Sequence, residues 1–261
     1  MKILIKWGIG KSGRLFFQLF VLLFAFSCAQ PAKEPAKEAD SGKKFRISEQ
    51  GDTIVINYRK NGKLLSEVTV KNGLQNGLCL NYYENGKIQN EIWYQDGDKN
   101  GRATWNYESG KLYRETPYVD DEIEGIQKIY YEDGKLMAEI PYKKGELLVG
   151  TKEYNKEGNL KKNYPEIVFE PVDKMAFDNK YYLRIYLSKN DPDAKFFNVT
   201  EVDGKKYDIP LPLLNGVAEM NWFVPKNKYV MEKVTVAVEF NTVLNNPVRF
   251  EKTYNVAADH R

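Results

Sequence analysis

Four glutamates recur at the same place in a repeated segment, and they are the side chains whose spacing could support acid–base chemistry. They each lie five residues after a glycine: Glu67, Glu91, Glu115 and Glu139. If each copy is a hairpin, equivalent glutamates are two strands apart, roughly 9–10 Å at about 4.8 Å per strand. Retaining glycosidases need about 5–5.5 Å between carboxyls, and inverting ones about 6.5–9.5 Å. Because an exposed periodic ladder has no cleft to raise a pKa, we interpret these glutamates as solvated cross-strand partners, with Glu139 facing Lys128.

The chain offers few other groups for catalysis. Its single histidine, His260, is the second-last residue. Chain ends tend to fray, so a Ser–His or Cys–His nucleophile system has no suitable base. No set of residues has the spacing of zinc ligands, and Cys79 is expected to be a buried small hydrophobic residue. The sequence therefore predicts no catalytic residue, no metal site and no cofactor, and it indicates that the chain is not an enzyme.

A unit of 24 residues repeats through the middle of the chain. In each copy a glycine follows a polar residue or glutamate; these glycines are Gly62, Gly86, Gly110, Gly134 and Gly158. A fixed period of this length indicates stacked copies of one supersecondary unit. Asn-Gly between runs rich in Tyr, Ile and Leu is typical of a two-residue type I′ hairpin turn. We therefore expect tandem β-hairpins that turn at these glycines, with Gly97 and Gly145 in the turns between hairpins.

A two-residue loop also predicts the register of each hairpin. It places Tyr83 opposite Ile88, and the equivalent tyrosines of the next two copies opposite Leu112 and Leu136. Tyr82 would then lie on the other face, near Trp93. Both faces are partly aromatic, which favours a thin, twisted single sheet. Cross-strand pairs of this kind contribute about 0.2–1 kcal/mol each.

This pattern resembles the bacterial variant of the MORN repeat, in which a Tyr-rich strand, an x-Asn-Gly-Lys turn and a second strand recur. The resemblance covers residues 51–164. It implies an elongated antiparallel sheet of hairpins and a role in binding proteins or membranes, and some variant members are antitoxin components. The family does not determine a ligand.

The first 27 residues have the composition of a lipoprotein signal peptide. A basic segment precedes residues 15–26, an apolar stretch of 12 residues. This stretch is shorter than the about 20 residues of a membrane span but suits a signal peptide. Cys28 follows at once in a setting that resembles a bacterial lipobox, although Ala25 and Phe26 depart from its usual residues. The resemblance implies a lipid on Cys28, and the alternative is cleavage after Ala29 with release of a soluble protein.

Residues 28–50 are expected to form a disordered tether, because a segment rich in Pro, Ala, Lys and Glu cannot bury enough surface to fold. The signal peptide also explains the net charge of +3, from 39 basic and 36 acidic residues. Removing its four basic residues leaves 35 basic residues against 36 acidic ones, so the mature chain is nearly neutral. It has no basic stripe of the kind that binds nucleic acid.

Residues 165–261 lack the period and are predicted to form an immunoglobulin-like β-sandwich. Six or seven strand-like runs separated by turn signals within about 100 residues are typical of that architecture. Residues 233–240 alternate strictly between apolar and polar side chains, as a half-buried strand does. Trp222 is the expected core aromatic residue.

The predicted protein is all-β: repeats in residues 51–164, then the sandwich. The candidate binding surface is aromatic: Tyr82, Trp93, Trp105, Tyr113, Tyr118 and Tyr142. Aromatic residues are favoured at protein interfaces, so we expect a lipid-anchored protein of the bacterial envelope, in the outer membrane, that binds a protein partner. One alternative is a membrane-surface or envelope-glycan binder, and a lesser one is an antitoxin-like inhibitor.

Overall fold

In the computed structural model, which describes residues 42–261, the repeats form one antiparallel sheet of 13 strands. The predicted signal peptide, Cys28 and residues 29–41 lie outside the described residues. The strands of this sheet are β1 Lys43–Ile47, β2 Thr53–Tyr58, β3 Leu64–Lys71, β4 Leu74–Tyr82, β5 Ile88–Gln95, β6 Asp98–Lys99, β7 Gly101–Asn106, β8 Leu112–Val119, β9 Glu122–Ile123, β10 Gly125–Tyr130, β11 Leu136–Lys143, β12 Glu146–Leu147 and β13 Lys152–Glu153.

The sheet grows by one hairpin per repeat, in chain order. Its main path runs β1-β2-β3-β4-β5-β7-β8-β10-β11-β12. The two-residue strands β6 and β9 fold back on β5 and β8, and β13 pairs with β11. The prediction of an elongated sheet of tandem hairpins is confirmed.

The array starts earlier than the composition predicts. Strand β1 lies within residues 28–50, which are expected to be a flexible tether, and it pairs antiparallel with all but the last residue of β2. Phe45 and Ile47 remain exposed on this edge strand. Main-chain hydrogen bonds to an open sheet edge order this segment, although its own side chains bury little surface.

The turns within the repeats differ from the prediction. Gly86 has a φ of +83°, but Asn85 is not at positive φ. The amide of Gly86 donates to the carbonyl of Tyr83, and the amide of Tyr83 donates to the carbonyl of Lys87. This is a type I turn followed by a single left-handed glycine and a bulge, so the predicted type I′ turn is wrong here. All five predicted turn glycines share the positive φ: Gly62, Gly86, Gly110, Gly134 and Gly158.

The two-residue turns with two positive φ values lie between the repeats instead. Gln95 pairs with Asp98, so Asp96 and Gly97 form the loop, with φ of +50° and +104°. The equivalent loops are Asn72 with Gly73, Asp120 with Asp121, and Lys144 with Gly145.

The bulge shifts the register by one residue. Ile88 pairs with Tyr82, not with Tyr83 as predicted, and Leu136 likewise pairs with Tyr130. Tyr83 lies in the turn, where its hydroxyl donates to the carbonyl of Asn106 in the next repeat at 2.6 Å. The predicted pairing of Tyr83 with Ile88 is therefore wrong, whereas Tyr82 shares a face with Trp93, as predicted.

Residues 167–260 form two four-stranded antiparallel sheets. The strands are β14 Ile167–Lys174, β15 Lys180–Leu187, β16 Lys195–Val202, β17 Lys205–Leu211, β18 Leu213–Leu214, β19 Val217–Phe223, β20 Lys228–Asn241 and β21 Pro247–His260, and helix α1 spans Met175–Asp178. The sheet orders are β14-β15-β19-β18 and β17-β16-β20-β21. These are the immunoglobulin orders ABED and C′CFG, as predicted.

The sandwich has an aliphatic core to which both sheets contribute. Leu183 and Ile185 from one sheet and Val236 and Val238 from the other are fully buried. Trp222 packs against this core but is only partly buried, and its Nε1 donates to Glu232 at 2.6 Å. The predicted core aromatic residue therefore lies at the margin, where its N–H reaches a partner.

A buried carboxylate joins the last repeat to the sandwich. Glu153 is 0% exposed. Its Oε1 accepts hydrogen bonds from Thr242 at 2.5 Å and Asn246 at 2.6 Å, in the loop between β20 and β21. Its Oε2 accepts from Lys161 at 2.8 Å. Burial raises the pKa of Glu153, but these hydrogen bonds outweigh burial and hold the pKa below the usual 4.5.

Candidate binding surface

The repeat sheet has two faces of different character. Cross-strand partners share a face, so the pairs Trp105–Asn90, Trp105–Arg114 and Ala103–Thr116 define one of them, here called the Trp105 face. The other, here called the Trp93 face, holds the pairs Trp93–Leu78, Glu91–Thr104 and Ile126–Pro141. The Trp105 face contains most of the buried residues of the array.

The six aromatic residues predicted to form one surface are divided between these faces. Trp93 and Tyr82 lie on the Trp93 face, and Trp105, Tyr118 and Tyr142 lie on the Trp105 face. The remaining member, Tyr113, is the extra residue of a bulge and packs edge-on against the ring of Tyr107, with centroids 5.1 Å apart. The structure therefore does not bring the six together.

On the Trp93 face, large apolar side chains are exposed in the middle of the array. Trp93 and Ile126 are each 50% exposed. The carboxylates of Glu67 and Glu115 share this face and pair with Arg46 at 3.0 Å and Arg102 at 2.8 Å. This face is thus a mixture of apolar patches and paired charges.

The periodic glutamates accept hydrogen bonds from tyrosines of the following repeat. Glu115 accepts from the hydroxyl of Tyr130 at 2.9 Å, and Glu67 accepts from Tyr82 at 3.0 Å. Lys128 lies opposite Glu139 in the register. The predicted register of Glu139 with Lys128 is thus confirmed, and these carboxylates also link neighbouring repeats through tyrosines, which the interpretation as solvated partners did not predict.

A second series of tyrosines also connects the repeats, a role that the sequence pattern alone did not reveal. The hydroxyls of Tyr83, Tyr107 and Tyr131 each donate to the carbonyl 23 residues ahead, at 2.6 to 2.8 Å. Arg59 occupies the equivalent position of the first repeat and donates to the carbonyl of Tyr82 at 2.8 Å. The 24-residue spacing of these tyrosines is the sequence signal from which this role could have been inferred.

The interior of the Trp105 face is largely polar. Asn81 donates to Asn90 at 2.8 Å, and Gln127 donates to Thr116 at 2.9 Å, and all four are buried. Aliphatic packing is confined to a small cluster around Ile140. Paired side-chain hydrogen bonds satisfy these buried groups.

The side chains considered for catalysis have structural surroundings. His260 ends strand β21, and its Nδ1 lies 2.8 Å from the carbonyl of Val224. Cys79 is 1% exposed, which confirms its predicted burial, and it is disulfide-bonded, which differs from the predicted plain hydrophobic role. Among residues 42–261, no three metal-binding side chains gather at one point. No helix in this part of the chain is long and apolar enough to cross a membrane.

Comparison with known proteins agrees with the repeat geometry. Four tandem segments match the MORN repeat variant. They are residues 52–72, 75–96, 99–120 and 123–144, and consecutive segments are divided at the two-residue turns between hairpins. MORN repeats commonly bind proteins or membranes and are typically not catalytic. The chain matches no protein among those with curated descriptions.

Proposed function

We propose that this protein is a non-enzymatic module that binds a protein partner through its MORN-type sheet. The observation that carries the proposal is the exposure of Trp93 and Ile126 on a face that no described element covers. Large exposed apolar patches rimmed by polar groups are typical of interaction sites. Aromatic residues on such patches supply much of the binding energy of protein interfaces.

The charges of the Trp93 face support a protein rather than a membrane as the ligand. Binding to an anionic bilayer needs clusters of unpaired Lys and Arg. On this face Arg46 and Arg102 are each paired with a glutamate, at 3.0 and 2.8 Å. The face therefore offers little net positive charge to lipid headgroups.

We also propose that the module is tethered to the cell envelope, preferably the outer membrane, by a lipid on Cys28. The support comes from the basic and apolar segments of residues 1–27 and from the position of Cys28 directly after them. A lipid anchor would hold the sheet near the membrane surface and restrict its partner to the same compartment.

Photo-crosslinking in intact cells tests the binding role. A photoreactive residue replaces Trp93, Trp105 or, as a control in the sandwich, Tyr229, which is 73% exposed. Trp93 and Trp105 point to opposite faces, so the pair also identifies the face used. We expect one recurrent protein adduct from an array position and none from Tyr229. Lipid or glycan adducts alone would contradict the protein-binding role.

Metabolic labelling with palmitate tests the anchor. Labelling and membrane association should both disappear in Cys28→Ser, whereas Cys79→Ser should remain labelled. The sequence has one other cysteine, Cys79, which serves as the matched control. A mature chain that takes up no label, or labelling that persists in Cys28→Ser, would contradict the anchor.

A further inference from the structure

Arg114 lies near the middle of the Trp105 face, stacked on an indole ring. It pairs across the sheet with Trp105 on β7 and with Ile129 on β10. The guanidinium carbon is 3.9 Å from the centroid of the Trp105 ring, well within the about 6 Å range of a cation–π interaction. Stacking fixes the guanidinium plane and leaves its edge free to donate hydrogen bonds.

This arginine has no anionic partner among residues 42–261. Its Nε is buried and donates to no acceptor, and none of its nitrogens forms an ion pair or hydrogen bond in the described part of the chain. Every other arginine there has an acceptor: Arg46 at Glu67, Arg59 at the carbonyl of Tyr82, Arg102 at Glu115, Arg184 at Glu170, Arg249 at Asp208 and Arg261 at Asp259. A partly buried charge without a hydrogen-bonded partner is unfavourable for folding.

The other repeats show that the fold does not require a charge at this position. The pair equivalent to Trp105–Arg114 is Asn81–Asn90 in the preceding copy and Ile129–Ala138 in the following one. The asparagines satisfy each other at 2.8 Å, and the aliphatic pair needs no partner. Only this copy carries an unpaired cation in the place of a satisfied or apolar pair.

The surroundings of Arg114 favour an anionic ligand. Tyr118 and Tyr142 lie on the same face, and their hydroxyls donate to no acceptor among the described residues. Burial lowers the pKa of Arg114, partly offset by these two tyrosines and by Tyr113. Lys99 also lies on this face, with its Nζ 5.3 Å from the Tyr118 ring centroid, but it is paired with Asp121.

The acidic groups that interact with these tyrosines are already paired. Asp121 lies 4.0 Å from Lys99, and Glu239 accepts from Arg249 at 2.8 Å. Neither forms an ion pair with Arg114. The face thus combines a preoriented guanidinium with two hydroxyl donors and no carboxylate to occupy them.

We propose that Arg114 anchors a carboxylate of an acidic peptide segment that lies across the Trp105 face. This inference rests on the proposed function, in which the array binds a protein partner, names the chemistry of that partner, and assigns its acidic contact to the face opposite Trp93. A fixed guanidinium binds a carboxylate in a bidentate manner. A single cation recessed among aromatic side chains suits a protein partner, because Arg, Tyr and Trp dominate interface hot spots, whereas a bilayer engages clusters of exposed cations.

Selection from a random peptide display library tests the inference, using the chain without its predicted signal peptide. Peptides selected on the wild-type protein should carry a required Asp or Glu. Changing that acid to its amide should weaken binding by about tenfold or more. Arg114→Gln should cause a similar loss, and the acid-to-amide change should have little further effect in that variant.

Two variants control for stability and for charge. Arg184→Gln removes a half-exposed arginine of the sandwich, which is paired with Glu170 at 3.1 Å, and should leave binding unchanged. Arg114→Lys keeps the charge but not the planar fork, so its affinity should lie between those of wild type and Arg114→Gln. If Arg114→Gln does not unfold cooperatively, the affinity of Arg114→Lys relative to wild type is the test instead.

The outcomes separate this inference from the proposed function. Peptides without a required acid, or peptides that bind Arg114→Gln as tightly as wild type, would overturn the role of Arg114 and leave the binding module intact. Binding only to vesicles of phosphatidylcholine and phosphatidylglycerol, lost in Arg114→Gln, would overturn the peptide assignment in favour of lipid phosphate. A failed binding module would be recognised by the absence of protein adducts in cells.

Discussion

At the level of single residues, the array is held together by tyrosine hydroxyls that reach into the neighbouring repeat. Glu115 of one repeat accepts from Tyr130 of the next, and Glu67 accepts from Tyr82. Burial and the adjacent carboxylate raise the pKa of Tyr82 and of Tyr130 to about 12. The hydroxyl proton is therefore retained more firmly in the folded chain than in the unfolded chain.

This raised pKa predicts a loss of stability at alkaline pH. Tyrosine ionises at 10.0 when unfolded and at about 12 in the fold, so the stabilisation is complete below pH 10 and is lost as the pH rises toward 12. Thermal unfolding followed by circular dichroism should show this decline. A Tyr82→Phe/Tyr130→Phe variant should show a smaller decline, whereas Tyr207→Phe, at an exposed residue, should match wild type. Identical pH profiles would show that these hydroxyls do not contribute.

Glu153 predicts the opposite dependence at acidic pH. Its pKa is held below 4.5, so its contribution is present above that value and is lost as the pH falls further. Glu153→Gln should lower the free energy of unfolding at neutral pH by about 1–3 kcal/mol and should weaken the acid dependence. Glu170→Gln, in a half-exposed pair with Arg184, is the control and should have little effect. An unchanged acid transition in Glu153→Gln would argue against the buried carboxylate as its source.

At the level of elements, the hairpin turns determine which side chains share a face. A single left-handed glycine with a bulge displaces the pair next to the turn by one residue, whereas the rest of each hairpin keeps the register of a two-residue turn. This places Tyr83 in the turn, where it donates to the next repeat, and moves Tyr82 opposite Ile88. The turn thus sets both the register and the contact between repeats.

Replacing the turn glycine tests this arrangement. The φ of Gly86 is +83°, and a side chain there would meet no atom within 4 Å. The cost of Gly86→Val is therefore backbone strain alone, about 1–3 kcal/mol. Gly86→Asn should cost less, because asparagine tolerates the left-handed region. Urea unfolding measures both, and equal stability of the two variants would contradict the left-handed turn.

At the level of the whole molecule, the last repeat and the sandwich share hydrogen bonds. Besides the bonds of Glu153, the Thr151 hydroxyl donates to the carbonyl of Pro247 at 3.1 Å. The truncated copy at residues 150–164 therefore belongs to the junction as well as to the array. A boundary at residue 165 would separate Glu153 from Thr242 and Asn246.

Two fragments test the independence of the sandwich. Residues 165–261 contain every buried residue of the sandwich core. Only Tyr164, which packs against this core, lies outside them, so this fragment should fold alone. Residues 150–261 add Glu153 and its partners and should melt at a higher temperature. Amide NMR dispersion and thermal unfolding measure the two properties. A shorter fragment without dispersed amide signals would show that the sandwich depends on the last repeat.

Much of the architecture could be predicted from the sequence, because the signals for it are local. The 24-residue period identified the hairpin array, and alternation with turn residues identified the sandwich strands. The positive φ of all five turn glycines also agrees with the prediction. The edge strand β17, which contains Pro210, has a weak strand signal in the sequence, since proline is unfavourable within strands and yet is tolerated at a sheet edge.

The candidate site was predicted less well, because it depends on the register. Side chains alternate between the two faces along a strand, so the register decides which aromatic residues meet. Trp105 pairs with Asn90, which lies an odd number of residues from Trp93 on β5, so the two tryptophans, grouped by composition, lie on opposite sides of the sheet. Arg114 had no distinguishing signal, since only burial beside Trp105 and the lack of an acceptor single it out.

The sequence by itself determined the repeat, its approximate bounds and the all-β class, because period and alternation follow from the chemistry of neighbouring residues. The tertiary structure decided which residues meet across repeats: the Tyr–Glu bonds, the buried Glu153 and the unpaired Arg114. The hydrogen bonds join residues 15 or more positions apart, and the state of Arg114 depends on the absence of an acceptor among the described residues. Their energies come from desolvation and from hydrogen-bond geometry, which exist only after the strands are in register.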